Sequence, residues 1–96
     1  MAKLSDNQLI DALQTLPGWE VIDGEIVRVF KLGAYADHLA FVSIIGRLAD
    51  RADHHPDILL TYPSVRVSLS THSEGGITEK DTSLATAIDK VAGMFG

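Results

Sequence analysis

From Val65 to Thr71 the chain alternates without a break. Val65, Val67, Leu69 and Thr71 fall on one side, and Arg66, Ser68, Ser70 and His72 on the other. Successive side chains of a strand point to opposite faces, so this segment predicts a strand whose sheet is buried on one face only. One-sided sheets are antiparallel, because parallel sheets are covered on both faces and read as continuous apolar runs. The rest of the chain must therefore supply antiparallel partners and a cover for the Val65 face.

The partners are legible. Ile58 to Tyr62 reads as a strand joined to Val65 by the turn Pro63-Ser64. Trp19 to Ile22 and Glu25 to Lys31 are β-branched and aromatic runs joined by Asp23-Gly24, the strongest short hairpin signal because both residues tolerate positive φ. Three segments read as helices. Ser5-Asp6-Asn7-Gln8 is a capping box, after which Leu9, Ala12, Leu13 and Leu16 recur at helical spacing until Pro17-Gly18. Residues 36–52 form a longer helix with Phe41, Val42, Ile44, Ile45, Leu48, Ala49 and Ala52 in one arc, wider than a single contact requires. Thr78, with Asp81 three residues later, caps a final helix striped by Leu84, Ala87, Ile88, Val91 and Phe95. The expected fold is α+β: a four-stranded antiparallel sheet with three helices on one face, in the order αββαββα. The Arg66 to His72 face is left open for a site or a partner.

At 96 residues, with no repeat, linker or low-complexity tract, the sequence predicts one domain spanning residues 1–96. Apolar residues at 46% and charged residues at 22% exclude disorder. The absence of cysteine excludes disulfides, thiolate metal sites, iron–sulfur clusters and a cysteine nucleophile. Eight basic residues against 13 acidic give a net charge of −5, and only Arg47 and Arg51 stand one helical turn apart. Direct binding to nucleic acid or to an anionic membrane needs a basic face, so neither is expected. Met1 to Asp6 carries no secretory signal and no apolar run is long enough to span a bilayer, so the sequence predicts a soluble cytoplasmic protein.

The histidines are unevenly placed. His38 stands alone near the start of the second helix and reads as a partly exposed surface residue without a role. His54 and His55 lie at the helix-to-strand junction fixed by Pro56, with Asp50, Asp53 and Asp57 around them. Imidazoles beside carboxylates suit acid–base chemistry near neutral pH; the same pair also suits capping of the helix C-terminus. His72 ends a strand above Gly75-Gly76, with Asp81 opening the next helix, as a pocket residue would. Zinc-binding helices space their histidines i, i+4, whereas adjacent histidines in extended backbone point apart, so no metal is expected.

Taken together, Asp50-x-x-x-His54-His55-Pro56, Tyr62, His72 and Asp81 resemble the signature of the pterin-4a-carbinolamine dehydratase family. Gly18-Trp19, Ser70-Thr71-His72 and Gly76-Ile77-Thr78-Glu79-Lys80-Asp81 extend the resemblance from about residue 8 to residue 95. Two departures are mild: Asp50-Arg51 replaces the commoner Glu-Lys, and Pro63 follows Tyr62 where a polar residue is usual. The resemblance implies a hydro-lyase that dehydrates 4a-hydroxytetrahydropterin to quinonoid dihydropterin, recycling the product of an aromatic amino-acid hydroxylase. It implies that His54, His55 and His72 handle the protons, with acid and base unassigned among them. Asp50 and Asp81 would support the imidazoles, and Asp53, Ser70, Thr71 and Ser73 would line the reduced-pterin site. No cofactor is implied. Some members of the family are non-enzymatic dimerisation partners of a homeodomain transcription factor, so a protein-binding module is the alternative.

Self-association is also expected, as a homotetramer built as a dimer of dimers. The core is thin, the sheet has open edges, and the wide arc of the second helix offers a seam through Phe41, Ile44, Ile45 and Leu48.

Overall fold

The computed structural model describes residues 2–95. The elements are α1 (Asp6–Leu13), β1 (Glu20–Ile22), β2 (Glu25–Phe30), α2 (Tyr35–Ala52), β3 (Asp57–Leu60), β4 (Val65–Leu69), a short 3₁₀ turn (His72–Glu74) and α3 (Glu79–Ala92). This is the αββαββα order that the sequence predicts. The sheet runs β1-β2-β4-β3 with every neighbouring pair antiparallel. The two hairpins are thus zipped together by their second strands, β2 and β4, leaving β1 and β3 as edges.

Local chemistry explains the element ends. Asp23 and Gly24 both take positive φ, 51° and 79°, and close a two-residue hairpin with Ile22 opposite Glu25. Ser5 Oγ accepts from the Gln8 amide while Gln8 Oε1 accepts from the Ser5 amide, completing the first capping box. At α2 the left-handed Asp53 stops the helix, and the His54 amide turns back to the Ala49 carbonyl.

Ile26, Phe30, Val65, Val67 and Leu69 point to one face of the sheet and are buried there against Phe41 and Ile45 of α2 and Leu84, Ala85, Ile88 and Ala92 of α3. Trp19, Phe30, Phe41 and Phe95 run through this core in successive edge-to-face contacts with centroids 5.0–6.0 Å apart. Asp89 Oδ1 ties α3 to the sheet by accepting from both Trp19 Nε1 and the Arg28 guanidinium at 2.9 Å. On the other face Val29 and Leu59 are exposed beside Arg66, while Val27 and Ser68 further along are buried, so that face is open in part.

Three details differ from the sequence-based expectation. His38 is not a surface residue: it is 1% exposed, and its Nε2 accepts a hydrogen bond from the Leu32 amide at 3.0 Å. The β4 strand ends at Leu69, and His72 opens a 3₁₀ turn rather than closing a strand, because Thr71 bridges back to Gly76 and tightens the loop. Phe41 and Ile45 are 0% exposed in the protomer's own core, so they are not free for a helix–helix seam; Ile44, 39% exposed, is.

Candidate functional site

The capping box of α3 is also the foundation of the site. Asp81, the third residue of that helix, accepts the Thr78 amide on Oδ2 at 2.9 Å, as a capping acid does. The same oxygen accepts the Thr71 hydroxyl at 2.9 Å. Thr71 has one hydroxyl proton, so in its 2.9 Å contact with Thr78 the Thr78 hydroxyl donates. The other carboxylate oxygen, Oδ1, lies 2.5 Å from His54 Nε2. Asp81 is 0% exposed, and a fully buried carboxylate is tolerated only when its lone pairs are answered in this way.

An ionised carboxylate only accepts, so His54 Nε2 donates, and in the neutral imidazole Nδ1 is left as the acceptor. The His54 side chain is 11% exposed, and among the described residues the one fully buried side-chain nitrogen or oxygen without a partner is His38 Nδ1, so His54 Nδ1 keeps contact with solvent. It therefore remains reachable. His54 lines a groove of about 470 Å³ between the last turns of α2 and the first turns of α3, with Leu48, Arg51, Lys80, Ser83 and Leu84 among its walls.

A second imidazole–carboxylate pair is present. His55 Nε2 lies 3.1 Å from Asp50 Oδ1, one turn back on α2, but both side chains are largely exposed. His72 is exposed in the 3₁₀ turn and lines a separate cavity of about 240 Å³ with Asp23, Glu25, Ser70 and the Gly75-Gly76 loop. Thr71, between Ser70 and His72 in the chain, is buried and belongs to the Asp81 network. Asp53 and Ser73 are exposed, Asp53 as the left-handed helix stop and Ser73 in the 3₁₀ turn.

The candidates thus gather at one end of the molecule through Asp81 and Thr71. His54 and His72 nevertheless open on different cavities, and His55 lines neither. Among the described residues no group of three His, Cys, Asp or Glu side chains is placed to hold a metal ion. Glu25 was missed by sequence reasoning. Its signal was available only through pairing: Ile26 faces Leu69, which brings Glu25 alongside Ser70.

The family model described as pterin 4 alpha carbinolamine dehydratase matches residues 2–91. The chain belongs to the pterin-4a-carbinolamine dehydratase family. A protein of Chloroflexus aurantiacus named "Putative pterin-4-alpha-carbinolamine dehydratase" is 44% identical over 93 residues, covering 97% of this chain and all of that one. One of the same name from Thermomicrobium roseum is 40% identical over 92 residues, covering 96% of this chain and 99% of that one. Among solved structures, a transcriptional coactivator/pterin dehydratase from Brucella melitensis superposes with a TM-score of 0.90 at 34% identity, over 94% of this chain and 98% of that one. A pterin dehydratase-like protein described as a RuBisCO assembly factor shares the fold, with a TM-score of 0.64 at 24% identity over 78% of this chain and 87% of that one. Among the described residues no helix of this family member is long and apolar enough to cross a membrane.

Proposed function

We propose that this protein catalyses dehydration of 4a-hydroxytetrahydropterin to quinonoid dihydropterin and water, as a hydro-lyase of class EC 4.2.1.96. The observation that carries the reading is the buried Asp81 carboxylate fixing one nitrogen of His54 while the other stays reachable. Such a pair holds the imidazole in one tautomer and supports its charged form, which is what a proton-transfer group needs.

The reaction breaks the C4a–O bond and removes the N5 proton, forming the C4a–N5 double bond. The hydroxyl leaves as water once it has gained a proton. One imidazolium donates and one neutral imidazole accepts, so the protons balance without a covalent intermediate or a cofactor. His54, His55 and His72 are the groups assigned to these transfers. Asp50 supports His55 and Asp81 supports His54; Asp53, Ser70, Ser73 and the backbone of Thr71, whose side chain is held by Asp81, line the pterin site. Such acid–base catalysis is typically worth about 10²–10⁴-fold. The reading places the enzyme in the cytoplasm, downstream of a pterin-dependent hydroxylation, in tetrahydrobiopterin recycling.

Homotetramer formation as a dimer of dimers belongs to the same proposal. The exposed Leu39 and Ile44 of α2 and the unpaired β1 and β3 edges are the surfaces that favour it. A protein-binding role is the second reading, favoured by the similarity to the Brucella coactivator/dehydratase.

The test is spectrophotometric. Purified protein, treated with a chelator, is added to chemically generated 4a-hydroxytetrahydropterin and quinonoid product is followed. Acceleration over buffer supports the enzyme; a rate equal to buffer leaves the protein-binding role.

A further inference from the structure

Glu25 is the first residue of β2, on the open face of the sheet, and it is absent from the residues the family resemblance brings forward. Its position is set by two registers. Ile22 pairs with Glu25 across the hairpin, and Ile26 pairs with Leu69, so the next residues along, Glu25 and Ser70, lie side by side. The Ser70 hydroxyl donates to Glu25 Oε2 at 3.4 Å. That contact directs the carboxylate into the 240 Å³ cavity it shares with His72. The volume suits part of one small heterocycle rather than a drug-sized ligand.

The wall around Glu25 is short of cations. No lysine or arginine lines the cavity, and among the described residues neither Glu25 nor its neighbour Asp23 forms an ion pair. Lys3, whose stem lies against Gly76, lines the adjoining cavity and forms no ion pair with either carboxylate. Oε2 accepts from the Ser70 hydroxyl, and among the described residues Oε1 has no hydrogen-bond partner. A carboxylate has about four lone-pair sites, so two further donors can be accepted side by side. The cavity therefore offers an acceptor-only wall about one strand spacing, roughly 4.8 Å, beyond Ser70.

Resting on the dehydratase reading, we propose that Glu25 is a specificity-determining residue that accepts hydrogen bonds from the amino–amide edge of the bound pterin. That edge presents the exocyclic 2-amino group and N3–H as two parallel donors, the pattern a carboxylate matches in two-point fashion. Glu25 and His72 line the same cavity, so a ring whose amino–amide edge meets Glu25 lies beside His72. Glu25 takes no part in the proton transfers. It fixes which way round the bicycle lies and rejects rings that place a carbonyl at position 2, where oxygen would face oxygen.

The experiment compares wild type with Glu25→Gln, which keeps size and a half-exposed site and so leaves folding intact. Dissociation constants are measured for 7,8-dihydropterin and for its 2-oxo counterpart, 7,8-dihydrolumazine, together with KM and kcat for dehydration. Wild type should prefer the amino compound. In Glu25→Gln that preference should shrink by about tenfold or more, the worth of one well-made hydrogen bond to a charged group, and KM should rise while kcat stays within about threefold. An unchanged preference with turnover intact overturns the role of Glu25 alone. A preference lost in the variant, in a protein that binds pterin without dehydrating it, supports Glu25 and overturns the dehydratase. Wild type that binds neither compound overturns both.

Discussion

His54 Nε2 lies 2.5 Å from Asp81 Oδ1 although 27 residues separate them in the chain. The acid that makes this contact is the one that closes the N-terminal capping box of α3, with its other oxygen taken by the Thr78 amide and the Thr71 hydroxyl. A helix cap and an imidazole support are thus one carboxylate. Folding of α3 and positioning of His54 therefore share Asp81.

Asp81→Asn keeps the cap but reverses one donor. The amide oxygen can still accept from Thr78 and Thr71, which leaves the amide NH₂ facing His54 Nε2. His54 must then carry its proton on Nδ1 and loses the reachable lone pair. The expected result is a folded protein whose kcat falls by about 10²-fold or more. Wild-type kcat in a folded Asp81→Asn protein would contradict the role given to the pair. Asp81→Ala should also destabilise, by about 1–3 kcal/mol for each donor left unsatisfied, read by urea unfolding.

His38→Ala should damage stability and spare chemistry. The Leu32 amide loses its acceptor and a hole opens beside the core, so the cost should be at least about 2 kcal/mol. Activity per folded molecule should equal wild type. A full-stability variant with reduced kcat would mean that this buried imidazole serves the reaction.

Ile44→Glu and Ile45→Glu should part company although they are neighbours. Ile44 is exposed on α2, so a charge there should split the assembly and leave the protomer folded. Ile45 lies in the core, and a glutamate there should unfold the chain. Light scattering and circular dichroism on both variants distinguish the two results; an unmutated protein of about 10 kDa at micromolar concentration would remove the oligomer altogether.

What was legible in the sequence was whatever local chemistry decides. Asp23-Gly24 specified the first hairpin, Ser5 to Gln8 and Thr78 to Asp81 specified two helix starts, and the alternation from Val65 specified a one-sided strand. The burial of His38 was legible too, on a better count: with Phe41, Ile45 and Ala49 it falls at i, i+3, i+7 and i+11, the buried stripe of α2. Its polarity masked that spacing. The 3₁₀ turn at His72 and the approach of Glu25 to Ser70 were not legible, because each depends on a pairing made across the sheet or the loop rather than along the chain.

The most direct measurement is the rate of quinonoid dihydropterin formation from 4a-hydroxytetrahydropterin, read side by side for wild type, His54→Ala and His72→Ala, each shown to be folded. A histidine dehydratase accelerates the reaction well above buffer in the wild type and loses roughly 10²-fold or more in each variant. Wild type no faster than buffer, or variants as fast as wild type, would contradict it.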